Sequence, residues 1–545
     1  MARRRPYPNR LVEAIDRSAV LSTLDAEELR KFIGETLDQL DPEVRGPIDD
    51  ALLRRAATRG GYRPAPASSG IVDEVAEFAA AARRVGQAEP FDVDAYLRQG
   101  VAASLAGEHA TARRIFEALL LPIANAEIDL GQHEMVDEVL SVNLHDCVGR
   151  YLLAAYVETP AQRRVAAISE AVEEVQGIGA LIEPVRAMEE ALGRALPDVD
   201  AFLDGWIGRL EASADPDGEW ESEQERWLRD AVGRREGTNG LARIARATRR
   251  PQAVAAWCDA VGNDGDWKTT LAAYEEAVTL VTSDLWRGAF LDGAALAASK
   301  LGRKDATKKL EAAWLGAPSL ARLQRWLVAD DASAASIRKR AGAALEASPT
   351  KASRLLAFLH LLVGDVPAAA KALKSAPGLG WSSDDHPGHL LFPAFAWMVA
   401  SGTPTGVTAN VVEVLDGEPR SLLESSLEPQ DPSSALSTPT PRAVLDRAEV
   451  RSRLATKDRG AALDAMRTAA SKRTDGVTGE KRRRHYEHAA MLVGCCVEPD
   501  RQGSAAWLEA LRARTSRFPA YQEALRAALG GGRRFLGTRR FADGE

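Results

Sequence analysis

One pattern recurs along this chain and restricts its fold more than any other. A glycine or Gly-Asp turn is followed, at offsets +5, +9 and +12, by a small residue, a large one and another small or aliphatic one. The clearest copy runs from Gly265-Asp266 through Thr270 and Tyr274 to Ala277. Positions 270, 274 and 277 share one helical face. Glycine lets the chain reverse, Thr270 lets two helices approach, Tyr274 fills the space one turn on, and Ala277 leaves room for the next unit. The same offsets lead from Gly107 to Ala112, Phe116 and Leu119, and from Gly364 to Ala369, Leu373 and Ala376. From Gly302 they arrive one position early, at Ala306, Leu310 and Ala313, and a fifth copy turns near Lys457-Asp458 with Ala462, Met466 and Ala469. The interval from Gly265 to Gly302 is close to the roughly 34 residues of a tetratricopeptide repeat. The expected fold is therefore all-α: an irregular tetratricopeptide-like helical-hairpin solenoid in which each hairpin buries its apolar face on its neighbour.

Composition agrees with helices. Aromatic residues make up only 6% of the 545 residues, so the apolar share rests on Ala and Leu, which suit closely packed helices better than sheets. A net charge of −8 gives the surface as a whole no attraction for nucleic acid or anionic lipid. Met1 to Pro6 has the charge of a signal n-region, but Tyr7 to Arg17 supplies no apolar h-region, so no secretory signal is expected. The longest apolar run, Leu390 to Ala400, is about half of the ~20 residues a membrane-spanning helix needs and contains Pro393. A soluble, cytoplasmic protein without membrane contact is expected. Cys147, Cys258, Cys495 and Cys496 are too few and too irregular for a disulfide framework and read as buried thiols.

The chain divides by its breaks. Residues 1–59 read as an N-terminal helical segment in which Asp25 caps a helix, and 60–70, rich in Gly, Pro and Ser, as a linker. Residues 71–212 form a first helical-repeat block, with Pro160 and Pro184 as helix starts or kinks. Residues 213–425 form a central tetratricopeptide-like block that opens on an acidic run read as a solvated helix start. A Pro/Ser-rich loop (426–442), a C-terminal helical block (443–529) and a flexible tail (530–545) follow.

Two stretches carry a family likeness. Leu301-Gly302-Arg303-Lys304-Asp305-Ala306 leading to Trp314-Leu315-Gly316-Ala317-Pro318, and the block His485 to Val493 followed by Trp507 to Arg512, resemble the helical-repeat region that follows the zinc finger of bacterial SWIM zinc-finger proteins. That finger uses Cys-x-Cys followed by Cys-x-His, and this chain has neither. The resemblance thus implies the helical scaffold alone, with no zinc and no nucleic-acid role taken over from the finger.

Candidate chemistry falls into three groups. Asp384, Asp385, His386 and His389 put two carboxylates and two imidazoles within six residues, a set able to bind a divalent metal or to act as acid and base; equally, an Asp there can cap a helix and a His can bond to backbone. His485 and His488 offer two ligands of a half-site, with Cys496 on the same helical face but too far along it to join them. Lys481, Arg482, Arg483 and Arg484, with Arg249-Arg250 and the terminal arginines, are possible contacts to a partner or an anion, although no aromatic residues interleave with them as in a nucleic-acid platform. No nucleophile-elbow sequence and no phosphate loop ending in Gly-Lys-Ser/Thr is present. The resulting expectation is a non-enzymatic scaffold that binds a protein or peptide partner without a cofactor. A metal-dependent enzyme built on the Asp384–His389 loop, or a nucleic-acid-associated protein using the basic clusters, are the alternatives.

Overall fold

In the computed structural model, Gly107, Gly265, Gly302 and Gly364 have φ of 79°, 77°, 62° and 88°, the left-handed region that a side chain disfavours. The model describes residues 21–58, 62, 64–132, 135–179, 183–213, 221–347, 349–379, 385–417 and 435–530. At three of these turns the helix closes in a Schellman motif. The N–H of Gly107 donates to Ser104 O and that of Glu108 to Ala103 O; Gly302 and Arg303 repeat this with Ser299 and Ala298, and Gly364 and Asp365 with Leu361 and His360. Asp266 and Asp365 then cap the next helices through their side chains, accepting from Lys268 N and Ala368 N. Four of the expected reversals thus turn at a left-handed glycine, and at two of them, after Gly265 and Gly364, an Asp side chain caps the next helix.

The architecture is helical throughout. Among the described residues helix accounts for 76%, in 25 α-helices and short 3-10 turns, with no strand and only an isolated parallel bridge between Gln87 and Asp129. No described helix is long and apolar enough to cross a membrane. Asp25 caps Ala26–Asp38 in a capping box with Glu28, and Pro184 opens Pro184–Leu192, both as the sequence suggested. All four cysteines are buried free thiols.

The chain forms two compact units that part between Gly240 and Leu241, inside the segment 213–425 read from sequence as one block. In the first unit Pro90–Leu105 packs on His109–Ala124, which packs on Leu144–Glu158, which in turn packs on Pro184–Leu192. The Phe116 ring fills the notch left by Gly100, where a Cβ would lie 2.8 Å from it. Asp94, 4% exposed, fixes the loop before Leu144–Glu158 by accepting from the backbone N–H groups of Ser141 and Val142 at 2.9 Å. The acidic run ahead of Glu223–Thr248 departs from expectation. Glu225 is buried and accepts from Ser222 N at 2.8 Å, and Glu221 pairs with Arg229, so these acids serve caps and ion pairs rather than a solvated face. Residues 214–220 lie outside the described set.

The second unit begins with helices stacked in chain order: Trp267–Leu280 on Asp284–Lys300, then Ala306–Gly316, then Leu320–Val328. Tyr274 lies flat against Gly293 of the following helix, so closely that a Cβ there would overlap its ring. Farther on, pairing is no longer local. Val366–Ser375 and Gly388–Val399 both pack on Thr456–Gly479, and Tyr486–Val497 packs on Pro519–Leu529. The apolar run from Leu390 is the core of Gly388–Val399, whose residues from Leu390 to Val399 are all buried. A helix apolar on every face must be enclosed on every face.

The five sets of offset residues face inward, except that Ala306 and Leu310, reached one position early, are only half-buried. The fifth copy differs at its turn. Lys457 and Asp458 sit in the first turn of Thr456–Gly479, and the reversal lies upstream at Glu449, φ 56°, where Glu449 N donates to Asp446 O and Val450 N to Leu445 O. The sequence placed it late because no glycine marks it.

Tyr274→Ala should cost ~3 kcal/mol or more by opening a cavity against Gly293. Gly293→Ala should cost about 1–3 kcal/mol by overpacking the same contact. Urea denaturation of both variants measures this, and an unchanged midpoint for either would refute the packing described.

Candidate anion-binding cleft

The Asp384–His389 loop begins outside the described residues, which start again at Asp385. Asp385 accepts from the backbone N–H groups of Ser353 and Arg354 at 3.0 and 3.1 Å, and so caps Ser353–Val363. That helix needs an outside cap because the residue at its own N-cap is Ala352. His386 is 4% exposed and uses both ring nitrogens: Nδ1 accepts from Gly388 N at 2.9 Å, so Nε2 carries the proton and donates to Pro377 O at 3.2 Å. The His389 ring meets it edge-on with centroids 5.5 Å apart. Asp385 and His386 therefore hold the start of one helix and the entry to another. Among the described residues no group of three or more His, Cys, Asp or Glu side chains converges with metal-binding geometry.

The fold brings His389 towards histidines far away in sequence. His488 lies within electrostatic range of His389, His485 and Arg473, the last of these 1% exposed. His485 belongs to a separate 3-10 turn, Arg483–His485, so it does not share an α-helical face with His488 and Cys496. Its Nε2 accepts from Arg484 Nε at 3.0 Å. Part of His488 stays at the surface, yet loss of water around its ring, with Arg473 beside it, pushes its pKa down to about 3. Burial lowers the pKa of His386 and His109 in the same direction.

The basic run 481–484 divides. Thr456–Gly479 ends in a Schellman motif, Lys481 N donating to Thr478 O and Arg482 N to Val477 O, with Lys481 at φ 54° in the position where glycine is usual. This sends neighbouring side chains apart. Arg482 turns back to Glu480, and Arg484 goes to His485. Lys481 and Arg483 instead line a cleft of about 480 Å³ together with Arg517, Tyr486, Phe518 and Pro519. Arg517 lies over the Phe518 ring at 5.0 Å, and Tyr486 is held edge-on to Tyr521, centroids 5.7 Å apart. Among the described residues none of these three exposed cations pairs with a carboxylate.

Arg517 was not legible as part of this group. It is separated from Lys481 by two helices, and only the packing of Pro519–Leu529 on Tyr486–Val497 returns it to the cleft. Its one sequence signal is Arg517-Phe518-Pro519, a cation and an aromatic ahead of a helix start. Arg249, left-handed at φ 53°, and Arg250 lie at a helix boundary apart from the cleft lining, and the terminal arginines lie outside the described residues.

No family model, curated protein or solved structure matches the chain.

Asp385→Ala should lower stability by about 1 kcal/mol, the usual loss of an N-cap, as read from the urea midpoint. Acid should also destabilise the fold. Unfolded His488 titrates near 6.5 and folded His488 near 3, so as pH falls the unfolded chain takes the proton first. Stability is complete above about pH 6.5, and by pH 5 the loss from this residue should be about 2 kcal/mol. Urea midpoints between pH 8 and 5 measure the slope, and His488→Gln should flatten it.

Proposed function

We propose that this chain is a tetratricopeptide-like solenoid that binds a protein or peptide partner and performs no reaction of its own. The carrying observation is a recurring reversal: a left-handed glycine at Gly107, Gly265, Gly302 and Gly364, followed eight or nine residues on by a large side chain that in two copies is seated on a glycine of a neighbouring helix, Phe116 on Gly100 and Tyr274 on Gly293. Repetition of such units makes extended surfaces suited to recognition, because each unit contacts its neighbours and leaves its other faces free. Kinship with the helical region of bacterial SWIM zinc-finger proteins belongs to this reading and rests on Leu301 to Pro318, of which Ala313, Trp314 and Ala317 are buried, and on His485 to Val493 with Trp507 to Arg512. All four cysteines are free, which fits a reducing compartment, and burial raises their pKa values, which makes them unreactive.

The side chains with acid-base capacity support a non-catalytic role. Asp385 and His386 are used by helix starts, and Asp292, 0% exposed, is held by Arg322 at 2.7 Å and Arg325 at 3.4 Å. These groups stabilise the fold through the same atoms they would need for chemistry.

Cross-linking of the full chain in its cell extract, followed by titration of the purified cross-linked protein, tests the proposal. The expected outcome is saturable binding to one partner. Absence of saturable binding would remove this reading, and stoichiometric bound metal that is lost in His386→Ala and His389→Ala variants would replace it with the metal-dependent one.

A further inference from the structure

Two pockets of similar size in the second unit differ in how their charges are met. The larger, about 570 Å³, is lined by Arg325 and Arg447 among others, and acids stand against both: Asp292 is 3.4 Å from Arg325, and Asp331 is 3.0 Å from Arg447. The smaller is the cleft of Lys481, Arg483 and Arg517, where three cations converge from a helix cap, a 3-10 turn and a loop with no described acid among the lining residues. In a chain of net charge −8 this is a local reversal of sign. An apolar wall of Phe518, Pro519 and buried Tyr486 stands beside the cations.

We infer that this cleft docks a short acidic segment of a partner protein, its carboxylates on Lys481, Arg483 and Arg517 and an apolar side chain against Phe518. The inference rests on the partner-binding reading above and names the chemistry of the partner. Charge complementarity selects the sign, and the apolar wall selects a peptide over a bare anion, since it gains only from an apolar group. The surroundings select a short segment over a nucleic-acid strand. Glu480 precedes Lys481, exposed Glu487 follows Tyr486, and Asp475 lies 3.5 Å from Arg514, so a phosphate backbone leaving the cleft would run past acids. Tyr486, with its ring edge-on to Tyr521, offers no open platform for bases.

The backbone places Lys481. It holds the left-handed cap that glycine takes at Gly107, Gly302 and Gly364 and that Ala126 and Glu449 also take, and in this geometry its side chain lines the cleft.

The test is fluorescence anisotropy of the full chain with a labelled peptide alternating Glu and Leu, at low and at physiological salt. Saturable binding is expected, weakened about tenfold or more by Arg517→Glu and abolished by the triple reversal K481E/R483E/R517E. Reversal of three exposed lysines elsewhere, K351E/K371E/K457E, should leave affinity within about twofold, because it changes net charge equally without touching the cleft. Lys481→Gly should raise the thermal midpoint while weakening the peptide, a pairing that a purely structural lysine would not give. Circular dichroism of each variant reports that the fold is kept. Equal loss in the control triple variant, or no saturable binding of the unaltered chain at low salt, overturns the inference. So does competition by inorganic phosphate at the peptide's own concentration, which would mark a small-anion site. An oligonucleotide bound more tightly than the peptide and lost in Arg517→Glu would assign the cleft to nucleic acid instead. Should a cross-linked natural partner bind the K481E/R483E/R517E chain undiminished, the cleft inference falls and the scaffold reading stands; should no partner bind the unaltered chain, the scaffold reading falls and the peptide titration is judged by itself.

Discussion

The whole fold depends on stopping helices cleanly. A helix end leaves four carbonyls without partners, and a chain that reverses over a few residues must satisfy them within the turn. The Schellman closures at Gly107, Gly302 and Gly364 do this with two backbone bonds each, and the side chain of Asp266 or Asp365 meets the donors of the next helix. With both ends satisfied locally, consecutive helices can lie close, and the contact between them becomes a matter of volume. The large residue at offset +9 then finds its place against a missing side chain, as Phe116 does at Gly100 and Tyr274 at Gly293. Close packing of this kind makes a single methyl consequential.

Where these devices use glycine, the sequence announces them. Gly107, Gly265, Gly302 and Gly364 were legible as reversals because left-handed backbone strongly favours that residue, and the apolar run from Leu390 was legible as an enclosed helix because no face of it suits water. The reversal at Glu449 was not legible, since a carboxylate side chain gives no local sign of φ 56°. Nor was the packing of Val366–Ser375 on Thr456–Gly479, because helical periodicity states which face is buried and not against what. The candidate site follows the same division. Lys481 and Arg483 stood out as a charge run, but their separation from Arg482 and Arg484 is set by one backbone angle, and Arg517 joins them only through tertiary packing. Asp385 was legible as a capping residue, whereas the helix it caps begins at Ser353, on a distant part of the chain.

Buried polar groups add specificity to a fold made of small apolar contacts. Asp292 within Asp284–Lys300 holds Arg322 and Arg325 of Leu320–Val328 at the same time, and a Cβ at Gly288 would lie 2.7 Å from the Arg322 guanidinium. Alanine-rich helices slide past one another at small cost, while a charged network at full burial is favourable in one register only, since a shift would leave ions desolvated and unmatched. Leu320–Val328 is buried from Ala321 to Leu327 despite two arginines and a glutamine, so its position is fixed by this network as much as by its leucines.

The same reasoning separates positions set by packing from those, such as Lys481, where packing gives no account of the residue. Side chains that stabilise a fold are buried, bonded or both, and their backbones sit where propensity allows. Lys481 is exposed, lines a cleft with Arg483 and Arg517, and holds a left-handed angle that glycine would take with less strain. Such an angle costs about 1–2 kcal/mol in a residue with a Cβ, and Ala126 and Glu449 bear the same cost at their own helix ends. In this second unit the left-handed helix ends include Gly302, Gly364, Glu449 and Lys481, and the last of these faces a cleft. On the docking proposed above, recognition would fall at a helix end rather than along a helix face, and the C-cap, the device that lets the hairpins form, would also present charge.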